Sequence, residues 1–278
     1  MVADPEVPRS GVRSFAAAHP VALPLLIAIV AATIYVTALP FALIPLPLLG
    51  ANSSILWGML IVTAFCVLAM RLLYPTWTMG LRAQGFGRGL LLGWPAFVSA
   101  AILLTADLVV STPLHPLDAF AAFFVWVVLY NTLVALVEET FLRGIVLPAL
   151  TRAFSNSHRS ILWAVLVSSV VFGLGHAPGM IGQPWTLLVA KVVWATALGI
   201  FLAAVFVRSG NLWSVVLLHM TLNVTASTAP YVSYIAVPFQ TAAVTVAVCT
   251  ALGVYGLWLI RPSALAASTE TLPVFRPA

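Results

Sequence analysis

The sequence predicts an all-α integral membrane protein, a polytopic bundle of about eight transmembrane helices. Three observations carry that prediction. Only 7% of the 278 residues are charged and 62% are apolar, against roughly 25% charged in an ordinary soluble domain. The apolar residues gather into eight runs, near 21–39, 55–73, 90–110, 119–142, 160–177, 185–207, 212–228 and 236–260, and runs of about 20 residues suffice to cross ~30 Å of hydrocarbon as helices. The alternating pattern of a membrane β-barrel is missing.

Taken in order, residues 1–20 are polar and proline-bearing and read as a flexible cytoplasmic tail. The first apolar run exceeds a signal-peptide core and seven more follow, so it is expected to be a retained span. Residues 21–118 hold the first three helices, 119–228 a core of helices four to seven, and 229–278 the last helix with a second cytoplasmic tail from 262. The outer loop FALIPLPLLGANSS carries Pro45 and Pro47, and the inner loop RAQGFGRG is basic and rich in glycine; both read as turns or short surface segments. Asp118 is placed to cap the start of span four, while His115 and His158 fall in loops and read as solvated. Cys66 and Cys249 lie inside apolar runs without paired spacing, which argues for packing and against a disulfide framework or thiolate metal site. No internal repeat and no soluble domain is evident.

The net charge of +5 follows topology rather than nucleic acid binding. Eleven of the 12 basic residues are arginines: Arg9 and Arg13 before span one, Arg71, Arg82 and Arg88 between spans two and three, Arg143, Arg152 and Arg159 at or after the end of span four, Arg208 after span six, and Arg261 and Arg276 after span eight. All fall on one side, so by the positive-inside rule both termini are expected in the cytoplasm. An arginine-rich composition suits a bacterial inner-membrane protein. Lys191, early in span six, is expected to extend its stem to the outer interface.

Charged residues inside a bilayer are costly and normally face protein or a wet cavity. Span four nevertheless holds Glu138, Glu139 and Arg143. Glu139 and Arg143 are four apart on one helix face and can pair; Glu138 stands about 100° round the helix and is left over. Span five ends in FGLGHAPG, with Phe172 and His176 four apart, and span seven contains HMTLN, with His219 and Asn223 four apart. Counting from the nearest cytoplasmic arginine at ~1.5 Å per residue puts Glu138 at ~21 Å, His176 at ~26 Å, His219 at ~17 Å and Asn223 at ~23 Å. These depths allow one site, provided the fourth helix continues past Arg143 through GIVLPAL toward Arg152, which makes it too long to lie straight across the bilayer.

Such a set suits water activation. A carboxylate and an imidazole can act as general base and then acid, and a second imidazole with an amide can support an oxyanion. Glu138, His176 and His219 are also a ligand set for zinc or another divalent metal; a metal-free mechanism is equally allowed. Neither HExxH nor GxSxG occurs. The glycines of FGLGHAPG are expected to allow close helix packing.

The ordered set Glu138-Glu139-Thr140-Phe141-Leu142-Arg143, Phe172-Gly173-Leu174-Gly175-His176 and His219-Met220-Thr221-Leu222-Asn223 resembles the CPBP family of intramembrane proteases. That family includes the type II CAAX prenyl endopeptidases and the bacterial Abi, or abortive-infection, proteins. The resemblance covers roughly 119–228. It implies an intramembrane endopeptidase acting on a peptide or membrane-protein substrate, with Glu138 and His176 activating water, His219 and Asn223 stabilising the oxyanion or holding a metal, and Glu139 and Arg143 bracing the site. Phe172 is expected to pack against it. Two other functions share these residues: an ion- or proton-coupled transporter, and a non-catalytic scaffold or bacteriocin-immunity protein. The sequence carries no sign of oligomeric state.

Overall fold

The computed structural model describes residues 11–38, 53–74, 77–109, 117–154, 157–232 and 238–266. Most of the outer loop at 41–54, His115, the side chains of Asp118 and His158, and the ends of both tails lie outside the described residues. Every regular element described is helical. In chain order they are α1 (Gly11–Ala18), α2 (Ala22–Ala38), α3 (Ser53–Leu73), α4 (Phe86–Leu92), α5 (Pro95–Val109), α6 (Leu117–Glu139), a π-helical stretch (Thr140–Val146), α7 (Leu147–Ala153), α8 (His158–Gly175), a short 3-10 turn (Pro178–Met180), α9 (Trp185–Ser209), α10 (Leu212–Val232), α11 (Pro238–Leu259) and α12 (Pro262–Ala266).

The chain is an integral membrane protein. Among the described residues, the segments Leu56–Leu73, Arg159–Met180, Trp185–Ser209 and Thr241–Leu259 are long and apolar enough to cross a bilayer. Joining α4 and α5 adds a fifth, bent by 53°, so four to five of the described segments meet that measure, and the expected count of about eight rests partly on residues outside those described. The third expected span is broken because Pro95 offers no backbone N–H and its ring clashes with the preceding turn. The seventh falls in α10, whose described apolar part is Leu212–Ser227. At the N-terminus the expected flexible tail contains α1, and the Tyr74 hydroxyl lies 3.2 Å from the carbonyl oxygen of Ala16 and 3.0 Å from that of His19. A hydrogen bond from that hydroxyl ties this part of the tail down.

The central post is α9, which packs against α8 and α11, while α10 packs against α5 and α6. Phe201 to Val207 are buried without interruption, as expected of a helix covered on all faces. Small residues set the spacing of α8 and α9: a Cβ at Gly173 would collide with Thr196, and one at Gly199 would press on Phe172 and Ser169 at 3.1 Å. In lipid, close approach of this kind is a main source of helix association. Gly175, by contrast, has open space around it. The inner loop is also tied in, since the Asn211 amide donates to the carbonyls of Arg82 and Gln84 and the Leu212 N–H to Gly80 O.

Helix α6 runs through the π stretch into α7, so the chain stays helical from Leu117 to Ala153. At ~1.5 Å per residue that is ~55 Å, well beyond a bilayer core. The π geometry has a local cause. Pro148 cannot donate to Gly144 O, one turn back, and the Leu147 N–H bonds instead to Leu142 O, five residues back. The Gly144 carbonyl is met by the indole N–H of Trp77 at 3.0 Å in a buried contact. Arg152 lies over the same indole, 3.9 Å from its centroid. Trp77→Phe keeps the ring and removes the donor, and is expected to cost about 1–3 kcal/mol, read as a lower melting temperature in detergent; an unchanged melting temperature would contradict this account of the π stretch.

Candidate active site

The site is assembled from the end of α6, the π stretch, the end of α8 and the middle of α10. Arg143 and Glu139 form the ion pair that their spacing suggests, with Nη1 3.1 Å from Oε1, and both are fully buried at 1% and 0% exposure. The second guanidinium nitrogen donates to Gly199 O on α9 at 2.9 Å. The Phe172 ring lies under the guanidinium, 5.0 Å away. A buried charge is tolerable only when paired and hydrogen-bonded; these three contacts pair the guanidinium, while Arg143 Nε and Glu139 Oε2 stay buried without a hydrogen bond.

His219 closes the arrangement. Its Nδ1 is 2.8 Å from the same Glu139 oxygen that holds Arg143. A carboxylate only accepts, so Nδ1 carries the proton and donates. That sets the tautomer and turns Nε2 toward Glu138, whose Oε2 is 3.6 Å away. This separation is too long for a hydrogen bond. The Glu138 side chain is 32% exposed, yet its Oε2 is buried and makes no hydrogen bond to the protein. The leftover acid inferred from helix geometry is therefore half in and half out of the protein, with one oxygen facing an imidazole.

His176 caps the end of α8. Its Nδ1 donates to Phe172 O at 2.8 Å, which leaves the Nε2 lone pair free to accept a proton. Phe172 stands edge-on to both imidazoles, with ring centroids 4.8 Å from His176 and 5.6 Å from His219. His176 is half-buried and lies within electrostatic range of Glu138 and His219. Asn223 sits one turn past His219 on α10 and is half-buried. Glu138, Glu139, Arg143, Phe172, His176 and His219 thus form one connected cluster; Asn223 joins it by helix position alone.

The metal alternative fares differently. Among the described residues, no three His, Cys, Asp or Glu side chains are gathered closely enough to hold an ion. The Glu138, His176 and His219 set considered from sequence is not drawn together as ligands.

Two neighbours were not anticipated. Asn131 donates to Val127 O at 2.8 Å and to Ser227 Oγ at 3.2 Å, linking α6 to α10; its place seven residues before Glu138, two turns along the same face, was the available signal. Lys191 holds its ammonium 5.0 Å over the Trp194 ring, which packs on the Leu142, Phe172 and Ala195 cluster.

Arg143→Ala leaves Glu139 buried without its cation and is expected to destabilise by about 3–5 kcal/mol. The double variant Glu139→Gln with Arg143→Met should lose less than Arg143→Ala alone. Thermal unfolding in detergent reads both, and a single variant that melts with the wild type would contradict the pairing.

Comparison with known proteins adds an independent finding. Residues 120–225 match the family model of the type II CAAX prenyl endopeptidase Rce1-like proteins. No curated protein and no solved structure matches the chain. The matched stretch runs from α6 into α10 and contains every residue of the cluster described above. The site-bearing core of this chain is therefore similar to the type II CAAX prenyl endopeptidase family over those residues.

Proposed function

We propose that this protein is an intramembrane endopeptidase that hydrolyses a peptide bond of a membrane-associated protein or peptide through water activated by Glu138 and His176. The observation that carries the reading is the Glu138 carboxylate. It is partly exposed and has one buried oxygen without a hydrogen bond, 3.6 Å from an imidazole whose tautomer is held by Glu139. Buried polar groups are normally satisfied, and among the unsatisfied atoms Glu138 Oε2 belongs to a partly exposed acid that faces an imidazole, as a general base requires. The family match supplies the reaction class.

In this mechanism a water between Glu138 and the free Nε2 of His176 gives up a proton as its oxygen attacks the scissile carbonyl. Glu138 takes up that proton, with His176 holding the water, and shares it with the Nε2 of His219. A protonated His219 Nε2 and the Asn223 amide then donate to the oxyanion. When the tetrahedral intermediate collapses, the C–N bond breaks and the proton passes to the departing amine. Catalytic contacts are often long before substrate arrives, which accommodates the 3.6 Å gap between Glu138 and His219. Arg143 and Glu139 hold the geometry and transfer nothing. No step requires a metal.

The arginine distribution supports an arrangement with both termini in the cytoplasm, in a bacterial inner membrane, with substrate entering laterally or from the cytoplasmic face. Glu138→Ala and His219→Ala are each expected to lower cleavage by about a hundredfold to ten-thousandfold while the protein stays folded and inserted. The assay is hydrolysis of a membrane peptide by purified protein in proteoliposomes. Full activity in either variant would remove the mechanism, and Glu138-dependent ion flux without cleavage would replace it with transport.

A further inference from the structure

At one end of the bundle, α4, the start of α10 and the turn between α11 and α12 close around the last turn of α9, and each brings or holds an arginine. Arg208, on α9, donates through Nη1 to Leu259 O at 3.0 Å and to Ala264 O at 2.8 Å. These carbonyls flank Arg261, so Arg208 grips the turn that carries it. Arg261 in turn donates to Trp258 O at 2.8 Å and lies over the Trp258 ring, 4.0 Å from its centroid. Arg82 and Arg88 arrive from the opposite side: Asn211, three residues past Arg208, donates to the carbonyls of Arg82 and Gln84, and a Cβ at Gly89 would lie 3.3 Å from that of Ser209. The charges of Arg88 and Arg261 both act on Arg208.

No counter-charge is built in. The sequence has no acidic residue between Glu6 and Asp107 or between Glu139 and Glu270, so none of the elements that form this cluster supplies a carboxylate. Arg143 has Glu139; here Arg82 Nε and Arg208 Nε are buried without a hydrogen bond. Gathered like charges repel, and an anion from outside removes that cost. Guanidinium forks match phosphate oxygens best.

The surroundings identify what carries the phosphate. On α11, Val254 and Trp258 are exposed and four apart, in line with Arg261 three residues on. On α4, Arg88 is exposed and so is Leu91, three residues deeper. Tyr255 stacks on Trp258 and donates to Leu92 O at 3.1 Å, which ties the two helices side by side. Both therefore show a cation at this end and open apolar surface one turn further in, with tryptophan and tyrosine at the level where a membrane interface favours them. A lipid has that profile; a free phosphate uses only half of it.

We propose that Arg88, Arg208 and Arg261 bind the phosphate of an anionic phospholipid whose acyl chains lie along Leu91, Val254 and Trp258. None of these residues belongs to the cluster around Glu138, so the site stands independently of the protease reading.

Lipid binding to the purified protein in neutral detergent tests this directly. Phosphatidylglycerol with a fluorescent acyl chain is compared with phosphatidylcholine carrying the same chain. We expect the anionic lipid to bind at least about tenfold tighter. Arg88→Gln with Arg261→Gln should erase the preference, and Arg88→Lys with Arg261→Lys should keep most of it. Arg88→Gln alone, at an exposed position, should weaken binding about fivefold and serves if the double variant folds poorly. Arg71→Gln with Arg159→Gln removes two exposed arginines outside the cluster and should leave the preference unchanged. Absence of a preference, its survival without Arg88 and Arg261, or an equal loss in the Arg71 and Arg159 variant overturns the proposal, the last by showing diffuse surface charge alone. Glycerol phosphate in excess should fail to displace the lipid; displacement would give the arginines to a soluble phosphate ester and overturn the lipid site.

Discussion

Arg143 is 1% exposed and reaches three elements at once: Glu139 on its own helix, the Gly199 carbonyl on α9 and the ring of Phe172 on α8. In hydrocarbon such a cation has no water to fall back on, so its partners must be present in the folded state. This requirement aligns the other groups. Glu139 is held by Arg143, His219 by Glu139, and Glu138 is presented to the far side of the same imidazole. Phe172, between the guanidinium and the two histidines, keeps them at fixed separations.

Packing supports that alignment rather than creating it. Lipid tails are as apolar as leucine, so helices here gain little from burying hydrophobic surface and more from close contact at small residues and from hydrogen bonds. Gly173 and Gly199 bring α8 and α9 together where the arginine must find a backbone carbonyl. The π stretch, anchored by Trp77 at Gly144, follows directly after the two glutamates. Single-turn π segments recur at functional sites, and here the irregular backbone is held by the indole and by Pro148.

Much of this was legible in the residues. A spacing of four made the Glu139 and Arg143 pair readable, because helix geometry sets which side chains are neighbours. Counting residues from the nearest arginines gave depths close enough to bring Glu138, His176 and His219 together. Such counting supplies height but not direction round the helix, which is why the contact of His219 with both carboxylates was not foreseen. The expectation of about eight spans treated every long apolar run alike. The break at Pro95 shows how a proline interrupts such a run. The π stretch depends on Trp77, 67 residues away from Gly144, and no local pattern announces a partner at that range.

The most direct test of the central claim is the nitrogen-15 spectrum of histidine-labelled protein, with His219 assigned by substitution. The account predicts a proton on Nδ1 in a hydrogen bond to a carboxylate, lost or strongly shifted in Glu139→Gln. A proton on Nε2 alone, with a signal indifferent to Glu139, would contradict it.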